Sequence, residues 1–238
     1  MTEPGFDGSN PDAVLLRHVN DLARSAPHWL DSTVCFLGEY GLVALSVLLV
    51  LWCWWRVARR LGEDAPSAVA GVAWTGLAAV IALLLSLPVR QVVQRPRPFD
   101  EQSGLYVLLR HTSRFSFVDN HATLTMAVGV GLFMVHRKAG VAGMAIALLA
   151  GFARVLMGVN YPTDVIGGYA LGTAAVLLLA PLAMVALGPL TAALGRGRAA
   201  VLVRSAKPQV FLRGGVGVWC GRAPEQAAET HCEKDLAA

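Results

Sequence analysis

AIALLAGFARVLMGVNYPTDVIGG, residues 145–168, is the most informative stretch of this chain, because it places Arg154 inside an otherwise apolar run. Even on lenient insertion scales an arginine at the centre of a membrane helix costs about 2.5–3.5 kcal/mol, so such a charge normally has a partner or a substrate. Asn160 and Asp164 follow at the polar break of the same run. The stretch therefore predicts a membrane helix that ends at a binding site.

The composition of the whole chain agrees with a membrane protein. Of 238 residues, 55% are hydrophobic and only 15% are charged, whereas a soluble domain carries about 25% charged residues. The net charge of +4 does not argue for nucleic acid, because basic residues that flank apolar spans are expected from membrane topology. We therefore predict the bilayer, and no nucleic acid, as a partner.

Apolar segments occur at about 32–55, 67–89, 120–136, 139–158 and 163–190. A helix needs about 20 apolar residues to cross a hydrocarbon core of about 30 Å, and the third segment is the shortest. The sequence predicts an all-α, membrane-embedded bundle of about five spanning helices over residues 29–192. Residues 1–28 are predicted to hold a polar segment and an amphipathic helix (11–25), and residues 193–238 a loosely ordered basic tail.

Charge predicts the orientation of these spans. Five crossings place three basic groups on one side, which the positive-inside rule makes cytoplasmic together with the tail: Arg56, Arg59 and Arg60; Arg137 and Lys138; and Arg196, Arg198 and Arg204. The 90–120 loop and the 158–163 turn then face outward. The outer loop is itself rich in arginine, which indicates an anionic ligand at that face.

Arg90 and Arg97 form the first polar cluster, with Arg97 inside the motif RPRP. If the chain is helical near Arg90, the two guanidinium groups can meet around one phosphate, whose oxygens they bind bidentately. The alternative is an ordinary basic patch that contacts anionic lipid.

Asp119 and His121 form the second cluster, at the start of the third apolar segment. A histidine at a helix start can protonate a leaving group or bind a phosphate oxygen, although it can also be a capping or interfacial residue. Asp119 can serve either as the helix N-cap or in catalysis.

Arg154, Asn160 and Asp164 form the third cluster, with Pro162 between the last two. Proline favours the first turn of a helix, so the last helix is predicted to start at Pro162 with Asp164 in its N-terminal turn. Asn160 and Asp164 can have a purely structural role as a cap of the last helix. No comparable structural role explains Arg154.

Taken together, these clusters resemble the signature of the type 2 phosphatidic acid phosphatase and haloperoxidase superfamily. The signature reads K/R-x6-RP, PSGH and S/A-R-x5-H-x3-D, and this chain has Arg90-x6-Arg97-Pro98, Val118-Asp119-Asn120-His121 and Ala153-Arg154-x5-Asn160-x3-Asp164. The resemblance covers about residues 85–170, and the spacing matches throughout. The segment YPTDVIGG also looks like bacterial members that dephosphorylate lipid or polyisoprenyl diphosphates.

The resemblance implies a role for each matched residue. Arg90, Arg97 and Arg154 would hold the phosphate, His121 would be the general acid, and Asp164 would orient the nucleophile. No metal or other cofactor would be required. In the family the nucleophile is a histidine and the second motif carries a serine, but here the corresponding residues are Asn160 and Asp119.

Both departures affect the chemistry. A carboxamide is a very poor nucleophile for phosphoryl transfer, and a carboxylate repels phosphate unless it is protonated or bridged by a cation. The leading interpretation remains hydrolysis of a lipid-linked or isoprenyl phosphate or diphosphate, with water, Asp119 or a relocated histidine such as His111 in place of the nucleophile.

Two further interpretations stay open. Asp119, Asn160 and Asp164 could hold Mg²⁺ against a prenyl diphosphate and promote its ionisation, as in cyclisation, elimination or transfer. Alternatively, the pocket binds a lipid phosphate without turnover, and the protein is a carrier, a sensor or an assembly partner.

Overall fold

The computed structural model describes residues 10–56, 65–102, 104–108 and 115–194, and within them the chain forms helices joined by loops. The predicted tail at 193–238 lies almost wholly outside the described residues, and so does the whole segment 109–114, which contains His111. The helices are α1 (Pro11–Arg24), α2 (His28–Phe36), a π-helical turn (Leu37–Gly41), α3 (Leu42–Arg56), α4 (Ala65–Val93), α5 (Pro98–Glu101), α6 (Asn120–Val135), α7 (Arg137–Leu156) and α8 (Pro162–Leu194).

Four of the described helical segments are long and apolar enough to cross a membrane: Trp29–Arg56, Ala68–Val93, Arg137–Leu156 and Pro162–Thr191. The third predicted span is α6, an apolar helix of 16 residues. At 1.5 Å per residue it is about 24 Å long, somewhat less than a hydrocarbon core. The structure therefore confirms an all-α membrane bundle, with one member shorter than a typical span.

The short helix α6 lies at the centre of the bundle, where it packs against α4, α7 and α8. Small residues allow the close approach, as is common between membrane helices. A Cβ added at Gly172 of α8 would clash with the backbone oxygen of Thr123, and one at Gly129 of α6 would lie 2.7 Å from the backbone nitrogen of Met144 in α7. Most of α6 is therefore enclosed by neighbouring helices.

The amphipathic helix predicted at 11–25 is confirmed as α1. Asn10 caps it by accepting from the Asp12 N–H, and Pro11 occupies the first turn. Its buried face includes Asn20, whose amide nitrogen donates to the carbonyls of Tyr106 (2.8 Å) and Leu156 (3.1 Å). The Asn20 side-chain oxygen accepts from the Tyr106 N–H at 2.7 Å. These bonds fix α1 and the 104–108 loop to the end of α7.

The contact between α6 and α8 yields a stability prediction. Gly172→Ala should lower the thermal stability of the purified protein, because the new methyl group meets the α6 backbone and overpacking typically costs about 1–3 kcal/mol. Gly188→Ala in the same helix has nothing within 4 Å of the added Cβ and should leave the Tm unchanged or slightly raised. Thermal unfolding in one detergent compares the two, and equal Tm values would contradict this account of the packing.

Candidate active site

The ends of four helices meet at one end of the bundle, which we call the site end. They are the C-terminal ends of α4 and α7, carrying Arg90 and Arg154, and the N-terminal ends of α6 and α8, carrying His121 and Asp164. This arrangement follows from antiparallel packing of neighbouring helices. It brings the three polar clusters of the sequence into one site, because Arg90 contacts the residue before Asp119 and Arg97 contacts the residue before Asn160.

Arg154 occupies the centre of this site and is buried, with 2% of its side chain exposed. Its Nη1 lies 2.6 Å from Glu39 Oε2 and its Nε lies 3.3 Å from Asp119 Oδ1. Its Nη2 donates to Asn160 Oδ1 at 3.4 Å. The charge that motivated the site prediction is therefore balanced by two carboxylates, one on α6 and one on the π-helical turn.

Glu39 is a site residue that the sequence analysis missed. It lies in the π-helical turn Leu37–Gly41, between α2 and α3 of the first span. A Cβ added at Gly38 would lie 2.8 Å from Met157 Cε and 3.2 Å from Ala153 Cβ. Glycine thus lets the turn approach the end of α7, where Glu39 reaches Arg154. The sequence did contain a signal for Glu39, because an acidic residue inside an apolar segment indicates a functional site just as a buried arginine does.

Arg90 and Arg97 are held by backbone carbonyls. Arg90 donates from Nε and Nη2 to the Val118 oxygen, at 3.2 and 2.6 Å. Arg97 is 4% exposed and donates from Nη1 to the Val159 oxygen at 3.1 Å. Burial, reinforced by the neighbouring Arg154 and Arg90 cations, lowers the pKa of Arg97 to about 10. A bound anion would relieve this repulsion, so the arrangement suits phosphate.

His121 lies at the first turn of α6 beside the carboxylates. Its Nε2 is 3.1 Å from the Glu39 backbone oxygen and 3.8 Å from Glu39 Oε1, and its Nδ1 is 4.0 Å from Asp119 Oδ1. The ring therefore lies at the edge of the arginine cluster with one nitrogen facing each carboxylate, a position that suits proton transfer to or from a bound ligand.

Asp119 is the N-cap of α6, where its Oδ2 accepts from the Ala122 N–H at 2.7 Å. The capping interpretation is thus confirmed, and the same carboxylate also faces Arg154 through Oδ1. The cap and the arginine together hold this carboxylate in place.

Asn160 and Asp164 point to different partners. The Asn160 amide nitrogen donates to the Ser116 backbone oxygen at 2.9 Å. Asp164 lies in the first turn of α8, which begins at Pro162 as predicted. Its Oδ1 accepts from Arg95 Nη1 at 2.9 Å, and its Oδ2 accepts from the Tyr161 N–H at 3.1 Å. Asp164 therefore stabilises the start of α8 and pairs with an arginine outside the matched motifs.

Arg95 joins the site to the N-terminal helix. Its Nη2 donates to Asp12 Oδ2 of α1 at 2.6 Å, and its guanidinium carbon lies 3.9 Å from the centre of the Tyr161 ring. Burial opposes its charge, but the hydrogen bond with Asp12 and the Asp164 carboxylate raise the pKa of Arg95 overall. Neither Asp12 nor Arg95 stood out in the sequence, because an exposed helix and a basic loop normally contain such residues.

Comparison with known proteins identifies the family of this arrangement. Residues 71–186 match the PAP2 superfamily. Undecaprenyl-diphosphatase BcrC of Bacillus subtilis is 30% identical over 139 residues, which cover 58% of this chain and 67% of the relative. The putative undecaprenyl-diphosphatase YbjG of Escherichia coli is 28% identical over 165 residues, covering 68% and 78%. The crystal structure of Aquifex aeolicus LpxE shares the fold, with a TM-score of 0.52 at 19% identity over 71% of this chain and 93% of that chain.

The buried arginine provides a test of the site. Arg154→Ala should abolish binding of a phosphate-bearing ligand and also lower stability, because losing one partner of a buried charge pair costs about 3–5 kcal/mol. Arg154→Lys keeps a positive charge and should bind more weakly than wild type without the same loss of stability. Arg137→Ala, at the other end of α7, is the control. Unchanged affinity in a folded Arg154→Ala protein would contradict the assignment of the pocket.

Proposed function

The chain belongs to the PAP2 superfamily and is a multi-pass membrane phosphatase, and on that premise we propose that it hydrolyses a polyprenyl diphosphate. The activity class predicted from the sequence, hydrolysis of a lipid-linked phosphate or diphosphate, is the class to which these relatives belong by name. The finer assignment to a polyprenyl diphosphate is our proposal, supported by two relatives named as undecaprenyl-diphosphatases.

The convergence of Arg90, Arg97 and Arg154 at one end of the bundle is the observation that carries the proposal. Three cations close together, two of them almost fully buried, are stable only with compensating negative charge. Glu39 and Asp119 supply part of it, and a diphosphate would supply more through bidentate contacts. The exposed apolar surface of the surrounding helices, such as Leu178 and Val185 of α8, keeps the site at the bilayer, where a prenyl chain would lie.

The site residues have the following proposed roles. Arg90, Arg97 and Arg154 bind the phosphate oxygens and stabilise the charge that develops on them. His121 donates a proton to the leaving oxygen. Asp119 holds Arg154 and the start of α6, while Asp164 holds the start of α8 through the Tyr161 N–H and pairs with Arg95. Asn160 cannot act as a nucleophile, but its carboxamide links Arg154 to the Ser116 backbone.

The magnesium interpretation receives less support from the geometry than hydrolysis does. Asp119 is engaged by the Ala122 N–H and Arg154, and Asp164 by Arg95 and the Tyr161 N–H. Ionisation of a prenyl diphosphate at these residues, and binding without turnover, stay as alternatives that the assay below separates from hydrolysis.

The first test is to incubate the detergent-purified protein with prenyl diphosphates of several chain lengths, with and without Mg²⁺, and to measure phosphate and organic products together. We expect phosphate with prenyl monophosphate or alcohol, insensitive to chelator. A Mg²⁺-dependent hydrocarbon with released diphosphate would instead establish the ionisation reaction. If neither product forms in a detergent in which a known phosphatase is active, the result would indicate a binding protein.

We further propose that the site end faces the outside of the cell. Arg56 at the end of α3, and Arg137 and Lys138 at the start of α7, lie at the opposite end of the bundle, which the positive-inside rule makes cytoplasmic. Arg59, Arg60 and the tail arginines, used in the same prediction, lie outside the described residues.

Cysteine labelling tests this orientation. In a variant without native cysteines, Ser25→Cys at the site end should react with a membrane-impermeant maleimide added to intact cells. Lys138→Cys should react only after the membrane is permeabilised. The reverse pattern would overturn the proposed orientation and leave the assigned site residues unaffected.

A further inference from the structure

Glu39 and His121 are two partly exposed side chains of the arginine cluster. Their side chains are 15% and 19% exposed, whereas those of Arg154 and Asp119 are 2% and 3% exposed. Asn160 and Asp164 are buried as well, at 1% and 0%. Glu39 and His121 are therefore more accessible to water than Asn160, the position of the missing nucleophile.

The carboxylate of Glu39 lies between the phosphate-binding arginine and the candidate acid. Oε2 contacts Arg154 Nη1 at 2.6 Å, and Oε1 lies 3.8 Å from His121 Nε2. An incoming phosphoryl oxygen would compete with Oε2 for the guanidinium group and so release the carboxylate next to the phosphorus atom. The π-helical turn supports a functional role, because such turns are frequent at functional sites.

The other two carboxylates of the cluster are less suited to act on water. Asp119 is buried and accepts from the α6 backbone, and Asp164 is buried and accepts from Arg95 and the α8 backbone. The Asn160 amide is directed to the Ser116 oxygen. Within the described part of the site, Glu39 is thus the carboxylate with both solvent access and a phosphate-binding neighbour.

We propose that Glu39 is the general base of a one-step hydrolysis, in which water attacks phosphorus directly and no phosphoenzyme forms. This inference rests on the proposed phosphatase function. Glu39 accepts a proton from water as the water oxygen bonds to phosphorus, the bond from phosphorus to the leaving oxygen breaks, and protonated His121 gives its proton to that oxygen. The proton on Glu39 then passes to His121 across their short separation, which restores both groups for the next turnover.

Substitution of Glu39 tests the proposal on whichever prenyl diphosphate the wild type hydrolyses. Glu39→Gln keeps an oxygen that can accept from Arg154 but cannot take a proton. Its kcat should fall about 100-fold or more, within the range expected for loss of a general base, while KM does not rise. Asp31→Asn, an acid-to-amide change on the preceding helix α2, is the matched control and should keep wild-type kcat.

The pH dependence of kcat distinguishes a base from a structural residue. The acidic limb of the wild-type profile should disappear in Glu39→Gln and persist in Glu39→Asp, which keeps a shorter carboxylate. The charged and titratable groups that face Glu39 are Arg154 of α7, His121 and Asp119 of α6, and Cys35 of α2. An unchanged profile in Glu39→Gln, or a kcat within a few-fold of wild type, would overturn the proposal.

Trapping of a phosphoenzyme gives a second test that does not depend on how Glu39 variants fold. Wild type quenched during turnover of substrate labelled with ³²P in the transferred phosphate should carry no covalent label. Asn160→His combined with Asp119→Ser restores the family residues and should yield acid-labile phosphohistidine. A labelled wild type would overturn the one-step reaction while leaving the phosphatase function intact. Absence of phosphate release from wild type, with every substrate tried, would overturn both.

Discussion

The ion pairs of Arg154 are the interaction on which the rest of the site depends. A guanidinium group in the membrane-embedded part of a bundle needs compensating charge, and here that charge comes from Glu39 on the first span and Asp119 at the start of α6. One side chain of α7 therefore connects two other helices. Because α8 also packs against α6, all the helices that carry site residues are tied to the same centre.

The contacts of the arginine cluster explain how it can stay in place although the nucleophile position departs from the family motif. Arg90 and Arg97 bind the carbonyls of Val118 and Val159, and these bonds do not involve the side chain at position 160. Asn160 occupies that position with hydrogen bonds on both ends of its carboxamide. The loss of an imidazole at position 160 therefore alters the chemistry of the site and leaves the arginine cluster in place.

Much of the fold and of the site follows from the sequence. Apolar length predicts the spanning helices, Pro162 marks the start of α8, and motif spacing identifies Arg90, Arg97 and Arg154. The contacts of those residues do not follow, since sequence spacing contains no information about partners on distant segments. Glu39 is 115 residues from Arg154, and Asp12 is 83 residues from Arg95. The π-helical turn is also unpredictable from periodicity, because it interrupts the first span with only a short change in helical pitch.

The bridge from Asp12 through Arg95 to Asp164 has a consequence for biosynthesis. Asp12 belongs to the first of the described helices and Thr163, which it also contacts, to the last of them, 151 residues later. A nascent chain that stops at the end of α7 lacks both Asp164 and the carbonyl of Val159 that holds Arg97. The anion site is therefore completed only when α8 has been made, and in a chain halted earlier Arg95 and Arg97 lack partners that have yet to be synthesised.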